Sequence, residues 1–256
     1  MRRLAAAALL AGLFVSCADP VPPTAALDEE QRRHLYQRAD GAFEEGILLS
    51  PASDGLADID MAPLLVRETG TEEAAATIYV HSGSVGIDAR EMPRLTYLWA
   101  QERNTAAQGF RVTMDGDGFP AIYEVLDDAS GARLLFVIEA LEATAIEQFG
   151  DPLDGRRFSI ERPVGDAPDV VVAGLLEPGP VPLGPFVYLD ANGDVASIIC
   201  RCMESRVGSI TDSVKYELTA IEDLERLPFD LPPWLEDGAS PATYLRWPAV
   251  ETEFTR

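Results

Sequence analysis

Cys200 and Cys202, with Arg201 between them and Met203 after them, are the residues of this 256-residue chain best suited to chemistry. Two thiols one residue apart can form a disulfide, exchange it with an outside thiol, or, as thiolates beside a thioether, hold a soft ion such as copper(I). On an extended strand, residues i and i+2 share a face with their Cα atoms near the upper limit for bridging. A Cys-x-Cys disulfide placed there would be strained and easily reduced. Three readings stay open: a structural dithiol or staple, a labile redox pair, and a copper site in which Met203 takes part. The familiar exchange motif has two residues between its cysteines, and no second Cys/His cluster completes a zinc site. The structural reading therefore comes first, the redox pair second and copper third.

Other chemistry is sparse. The histidines are His34 and His81. His34 sits on the charged side of a helical pattern, where it is solvated. His81 closes a strand beside Ser82 and Ser84, but the strand, nucleophile and helix order of G-x-S-x-G is missing, and sequence neighbours rarely form a triad. Asp115, Gly116 and Asp117 resemble the start of a calcium loop. Leu126 stands where an EF-hand needs its bidentate glutamate, so a tight turn is the better reading. With 43 acidic residues, no carboxylate pair is marked out for glycosidase work.

The chain opens MRRLAAAALLAGLFVSC: two arginines, an apolar run too short to span a bilayer, a small residue and Cys17. This resembles a bacterial lipoprotein signal, with Leu13, Phe14, Val15 and Ser16 leading into Cys17, although Val15 is larger than that family prefers. The resemblance implies that residues 1–16 are removed and that Cys17 carries lipid. The protein would then be anchored to, rather than threaded through, a membrane of the bacterial cell envelope. Ala18 follows the cysteine where an acidic residue favours inner-membrane retention, which implies the outer membrane. A plain secretory leader is the alternative. Residues 17–26, with ADPVPPTAA after the cysteine, form a proline-rich tether.

Charge narrows the partners. The chain carries −23, and loss of Arg2 and Arg3 with the leader takes the remainder to −25; Lys215 is the sole lysine. Nucleic acid is excluded as an expected partner, because its binding needs clustered Lys and Arg.

Residues 27–256 read as one domain with 47% apolar residues in the whole chain, enough to bury a full core. Asp28 and Gln31 predict a capping box, and Leu35, Ala39, Ala42 and Phe43 extend a helical pattern through Glu45, with Gly46 as its stop. Strands are predicted at Thr77–His81, Phe110–Met114, Ala121–Leu126 and Arg133–Ile138, the last three joined by DGDG and DDASG turns. A helix is predicted at Glu139–Phe149, ended by Gly150. Further strands are predicted at Arg157–Glu161, Asp169–Leu176, Pro185–Leu189, Val195–Cys202 and Ser213–Leu218. Asn192-Gly193 is read as a turn supplying positive φ. Trp234 and Trp247 are expected to pack a proline-bearing tail over the sheet.

The expected fold is thus α+β, mainly antiparallel sheet in meanders and hairpins, with an N-terminal helix and one or two short helices. The expected function is a lipid-anchored, non-enzymatic binding or scaffolding module of the envelope, with no cofactor, an envelope protein as partner and the membrane engaged through Cys17. The alternative is a periplasmic thiol-redox or copper-handling protein using Cys200, Cys202 and Met203.

Overall fold

Apolar side chains recur at every second place along the strands, and that alternation turns one face of each strand inward. In FRVTM the inward residues are Phe110, Val112 and Met114, all buried in the central cluster. The computed structural model describes residues 27–52, 59–69, 77–87, 89–100, 107–126, 131–163, 169–177, 179–222, 227, 229, 240–243 and 245–247. The leader, Cys17, the tether and Trp234 lie outside them.

The fold is α+β and dominated by sheet. After helix α1 (Glu29–Asp40) come strands β1 (Phe43–Pro51), β2 (Leu64–Glu68), β3 (Thr77–Ile87), β4 (Arg90–Ala100), β5 (Ala107–Met114), β6 (Pro120–Val125) and β7 (Arg133–Ile138). Helix α2 (Glu139–Phe149) follows, then β8 (Val170–Leu176), β9 (Phe186–Leu189), β10 (Val195–Ile199) and β11 (Val207–Ile221). All eleven strands join one sheet in the order β10-β9-β2-β1-β11-β3-β4-β5-β6-β7-β8.

Strands β3 to β7 form a continuous antiparallel meander. Elsewhere the sheet is mixed: β1 with β11, β11 with β3, β2 with β9 and β7 with β8 run parallel. The parallel pairs arise where the chain leaves one part of the sheet and returns to another through a long connection.

The sheet curls until its edge strands β8 and β10 meet. Every strand contributes to one interior cluster, from Leu49 on β1 through Phe110 on β5 to Tyr216 on β11. Phe110 lies at its centre, with ring centroids 5.1 Å from Tyr97, 6.5 Å from Trp99 and 5.9 Å from Tyr123. A group of aromatic rings thus sits among the aliphatic side chains of the interior.

Helix α1 lies across the seam and packs on both edges. Its start is set by the expected capping box: Gln31 N–H donates to Asp28 Oδ1 at 2.8 Å and Asp28 N–H to Gln31 Oε1 at 2.9 Å. Leu35 and Ala39 face the interior. On the β8 side, Asp169 accepts from Leu27 N–H at 3.1 Å and forms ion pairs with Arg32 and with Arg156, the latter at 3.0 Å. On the β10 side, Arg206 donates to Ala39 O and, at 2.9 Å, to Ser197 Oγ. The helix is stitched to both lips.

A second apolar layer covers the outside of β6, β7 and β8. It joins Leu141 and Ala145 of α2 to Ile122, Val137 and Val172, and it includes Trp247 of the tail, as expected. Trp247 Nε1 donates to Ala242 O at 2.9 Å.

Several local expectations need correction. The first helix stops at Asp40, capped through Gly41 N–H to Arg38 O, and Phe43–Glu45 already belong to β1. Gly46 is not a stop; it lies within β1 against Val66, where a side chain would collide. Arg157–Glu161 is not a strand. Glu142 of α2 accepts Ser159 N–H at 2.7 Å and Ile160 N–H at 3.2 Å, and these carboxylate bonds occupy donors that a strand ladder would use. β4 lies outside the predicted strands because Pro93 interrupts its pattern. Pro93 pairs with Ser84 of β3 but lies before the β5 register begins at Arg94, so it needs no donor on that side.

Candidate functional site

The predicted strand Val195–Cys202 ends at Ile199. Cys200 opens a tight turn in which Met203 N–H donates to Cys200 O at 3.1 Å. The two cysteines are joined by a disulfide, with Cα atoms 5.2 Å apart. The turn corrects the premise of an extended Cys-x-Cys, because it brings the Cα atoms within the usual bridging range. Cys202 N–H donates to Cys200 Sγ at 3.2 Å, and Cys202 Sγ lies 3.9 Å from Glu177 O, beyond the end of β8. Gly179 packs directly on the bridge: a Cβ there would lie 3.3 Å from Cys200 Sγ.

The two sulfurs differ in surroundings. Cys202 is exposed, whereas Cys200 is half-buried and lines a cleft of about 30 Å³. The other walls are Phe119, Tyr123, Ile138, Leu176, Val181 and Leu183, with Pro120, Glu177 and Gly179 completing it. Val181 is 52% exposed, which leaves an apolar lip beside the bridge.

Arg201 turns the opposite way. It donates to Ala62 O, its Nε is buried without a hydrogen bond, and it lies in the field of Tyr97, Tyr123 and Tyr216. Burial lowers its pKa, partly opposed by Tyr216 and the other tyrosines. Burial likewise raises the Tyr123 and Tyr216 hydroxyls, with Arg201 opposing. Tyr97 and Tyr216 donate to Met61 O and Pro63 O, each at 2.8 Å. Arg201 thus ties the cysteine turn to the segment before β2.

Met203 does not join the sulfurs. It packs into a separate outer cluster with Val66, Tyr188, Ile199 and Phe186. In the bridged state the two sulfurs are bonded to each other and are not thiolates, so the copper ligand set of Cys200, Cys202 and Met203 is not assembled in this arrangement. Among the described residues, no group of three or more His, Cys, Asp or Glu is placed to hold a metal.

His34 is exposed on α1, and His81 lies on β3 opposite Thr96. Ser84 Oγ donates to Glu91 Oε2 at 2.7 Å rather than to a histidine. The acidic DGDG turn spends its first carboxylate on backbone: Asp115 Oδ1 accepts Asp117 N–H at 2.9 Å and Phe119 N–H at 2.8 Å. The DANGD turn repeats the device, with Asp190 Oδ1 accepting Asn192 N–H at 2.8 Å and Asp194 N–H at 3.1 Å. In each turn only the glycine has positive φ, +83° at both Gly118 and Gly193, so Asn192 does not share that conformation with Gly193.

Sequence reasoning passed over the buried acids. Glu124 on β6 is fully buried on the outer face and paired with Arg111 of β5, Nε to Oε2 at 3.0 Å. Ser240 Oγ donates to the same oxygen at 2.7 Å, fastening the tail. Burial pushes the Glu124 carboxyl up, but Arg111 and the hydrogen bonds from Arg111 and Ser240 outweigh it and leave the carboxyl below its ordinary value. Arg94 joins the cluster, its pKa lowered to about 10 by burial and by Arg111. Glu161 accepts from Tyr36 Oη at 2.9 and 2.8 Å, Arg157 N–H at 3.1 Å and Val172 N–H at 2.7 Å; burial holds it above its ordinary value against those bonds. A signal for the first pair was present. The hairpin centred on DGDG sets Arg111 opposite Glu124.

The fold and site define a class: a curled mixed sheet, its seam closed by the first helix, with a turn-borne disulfide beside an apolar cleft. No protein-family model, curated protein or solved structure matches the chain.

Proposed function

We propose that this is a lipid-anchored protein of the bacterial envelope, held by Cys17, whose folded part is a non-enzymatic binding or scaffolding module. The observation that carries this reading is the run from apolar leader to Cys17 to proline-rich tether, joined directly to a rigid point of the fold. Leu27 N–H and Arg32 both bond Asp169, so the chain that follows residue 26 enters the fold at a defined place on the seam. The packed aromatic interior supports contact with a partner through the outer surface. Outer-membrane delivery, from Ala18 after the cysteine, belongs to the same reading.

The test is metabolic labelling with a fatty-acid probe: label on the wild type that is lost in Cys17→Ala is the expected result, and equal label on both overturns the anchor. Cross-linking in intact cells then asks for a protein partner captured by the anchored chain.

A second reading, favoured by the exposed disulfide, is thiol-redox chemistry at Cys200 and Cys202. The copper-handling form of that reading requires the pair reduced and Met203 withdrawn from its apolar cluster.

A further inference from the structure

We propose that the Cys200–Cys202 bridge is a thiol–disulfide exchange site and that the apolar lip of the adjoining cleft packs against an apolar residue next to a cysteine pair of a protein substrate. The inference rests on the second reading above and deepens it by assigning roles to the two sulfurs and a substrate class to the cleft.

Three observations carry it. First, the bridge staples nothing together. It spans a sequence separation of two within one turn, and the stabilisation a disulfide contributes through the unfolded chain grows with the loop it closes. The turn is already closed by Met203 N–H to Cys200 O and anchored by Arg201 to Ala62 O. Second, the sulfurs are unequal: Cys202 is open to solvent, while Cys200 forms part of a cleft wall. An incoming thiolate reaches Cys202 Sγ, and Cys200 Sγ is the leaving sulfur. Third, the wall continues through Leu183, Leu176 and Ile138 to Val181, which is 52% exposed, so that beside the bridge the surface is an apolar lip against which a flanking hydrophobic side chain can pack. Glu177 on the rim and the charge of −23 disfavour an acidic segment.

The step balances as follows. A substrate thiolate attacks Cys202 Sγ; the bridge breaks, and its electron pair leaves on Cys200 Sγ, which takes up a proton. The second substrate thiol, losing its proton, attacks its own sulfur in the mixed disulfide and releases Cys202 as a thiolate that is then protonated. The substrate loses two electrons and two protons and becomes a disulfide, and the pair becomes a dithiol. A disulfide of the surrounding oxidising compartment, low-molecular-weight or protein-borne, returns the pair to the bridged form.

The experiment uses the full chain with Cys17→Ala and two synthetic dithiol peptides, one with leucines and one with aspartates flanking its cysteines, with dithiothreitol as a small control dithiol. Acid-quenched mass spectrometry of the wild-type pair identifies which sulfur carries the peptide, and melting curves confirm that each protein is folded. Expected are oxidation of the leucine peptide at least about tenfold faster than of the aspartate peptide, the adduct on Cys202, and, when the oxidised leucine peptide is offered to the single-cysteine variants, a mixed disulfide that forms by exchange in Cys200→Ser but not in Cys202→Ser. Val181→Asp should erase the peptide preference, read as the ratio of the two peptide rates in that same variant. A folded wild type whose bridge resists dithiothreitol overturns the redox reading itself. Exchange with dithiothreitol but equal rates for the two peptides, or an adduct on Cys200, leaves that reading standing and overturns the assigned cleft and roles.

Discussion

Strand β5 is buried at all eight positions, whereas β11 is exposed along most of its fifteen. Both alternate in sequence, and both sit inside the sheet order rather than at its ends. The difference lies in what covers them. β5 has the aromatic interior on one face and, on the other, Arg111 paired with Glu124 beneath Ser240 of the tail. β11 holds Tyr216 in the interior but leaves Ile210 and Val214 44% and 42% exposed. Alternation therefore reports that one face of a strand is apolar. It does not report what covers either face: Val214 shares the side of Tyr216 and is exposed, whereas Arg111 on the polar side of β5 is buried.

The largest effect that sharpens this contrast is expected at the β4–β5 contact. Gly109 has no room for a Cβ, which would lie 2.1 Å from Tyr97 O of the neighbouring backbone. Gly109→Ala should cost more than about 3 kcal/mol by forcing the strands apart, and Phe110→Ala about 3–5 kcal/mol by emptying the interior. Urea unfolding measures both.

Next comes the buried pair. Glu124→Ala leaves Arg111 without its carboxylate in a site of 3% exposure and should cost about 3–5 kcal/mol, while replacing Arg111 and Glu124 together by Met and Leu should cost far less. A double variant as unstable as the single one would show that the pair specifies the wall rather than merely filling it.

Acid titration separates two of the buried carboxylates by sign. Glu124 is held below its ordinary value of 4.5, so its stabilisation is full above that pH and is lost as pH falls through the lower folded value. Glu124→Gln should flatten the acid side of the stability curve. Glu161 is held above its ordinary value, so its contribution is full at low pH and is lost as pH rises through the raised folded value. Glu161→Gln should therefore flatten a decline on the other side, read by midpoints of urea unfolding across the pH series.

Smaller effects are expected at the hairpins and on β11. Asp115→Ala and Asp190→Ala each remove an acceptor of two backbone N–H groups and should each cost about 1–2 kcal/mol. Ile210→Ser and Val214→Ser should stay within about 0.5 kcal/mol, as open surface sites do. If they cost as much as Phe110→Ala, the contrast between β5 and β11 fails.

The meander core was legible in sequence because its hairpins are local: Arg133–Ile138 and Glu139–Phe149 match β7 and α2 to the residue. The parallel pairings were not. They join residues as far apart as Phe43 and Val207, and no local spacing reports such a partner. β2 and β4 escaped for separate reasons: Leu64–Glu68 is short, and β4 carries Pro93. At the candidate site the cysteines themselves were evident from their types. The turn that bends them, and the cleft assembled from β6, β7, β8 and the segment before β9, exist only once the sheet has curled.

Helix α1 also sets a clock. It is the first described element to leave the ribosome, yet the groups that hold it, Asp169 and Arg206, are made more than a hundred residues later. Contacts so distant along the chain form slowly, and the lips they join must be brought together first. Until Arg206 has been made, the bonds that tie the helix to both lips cannot all be in place.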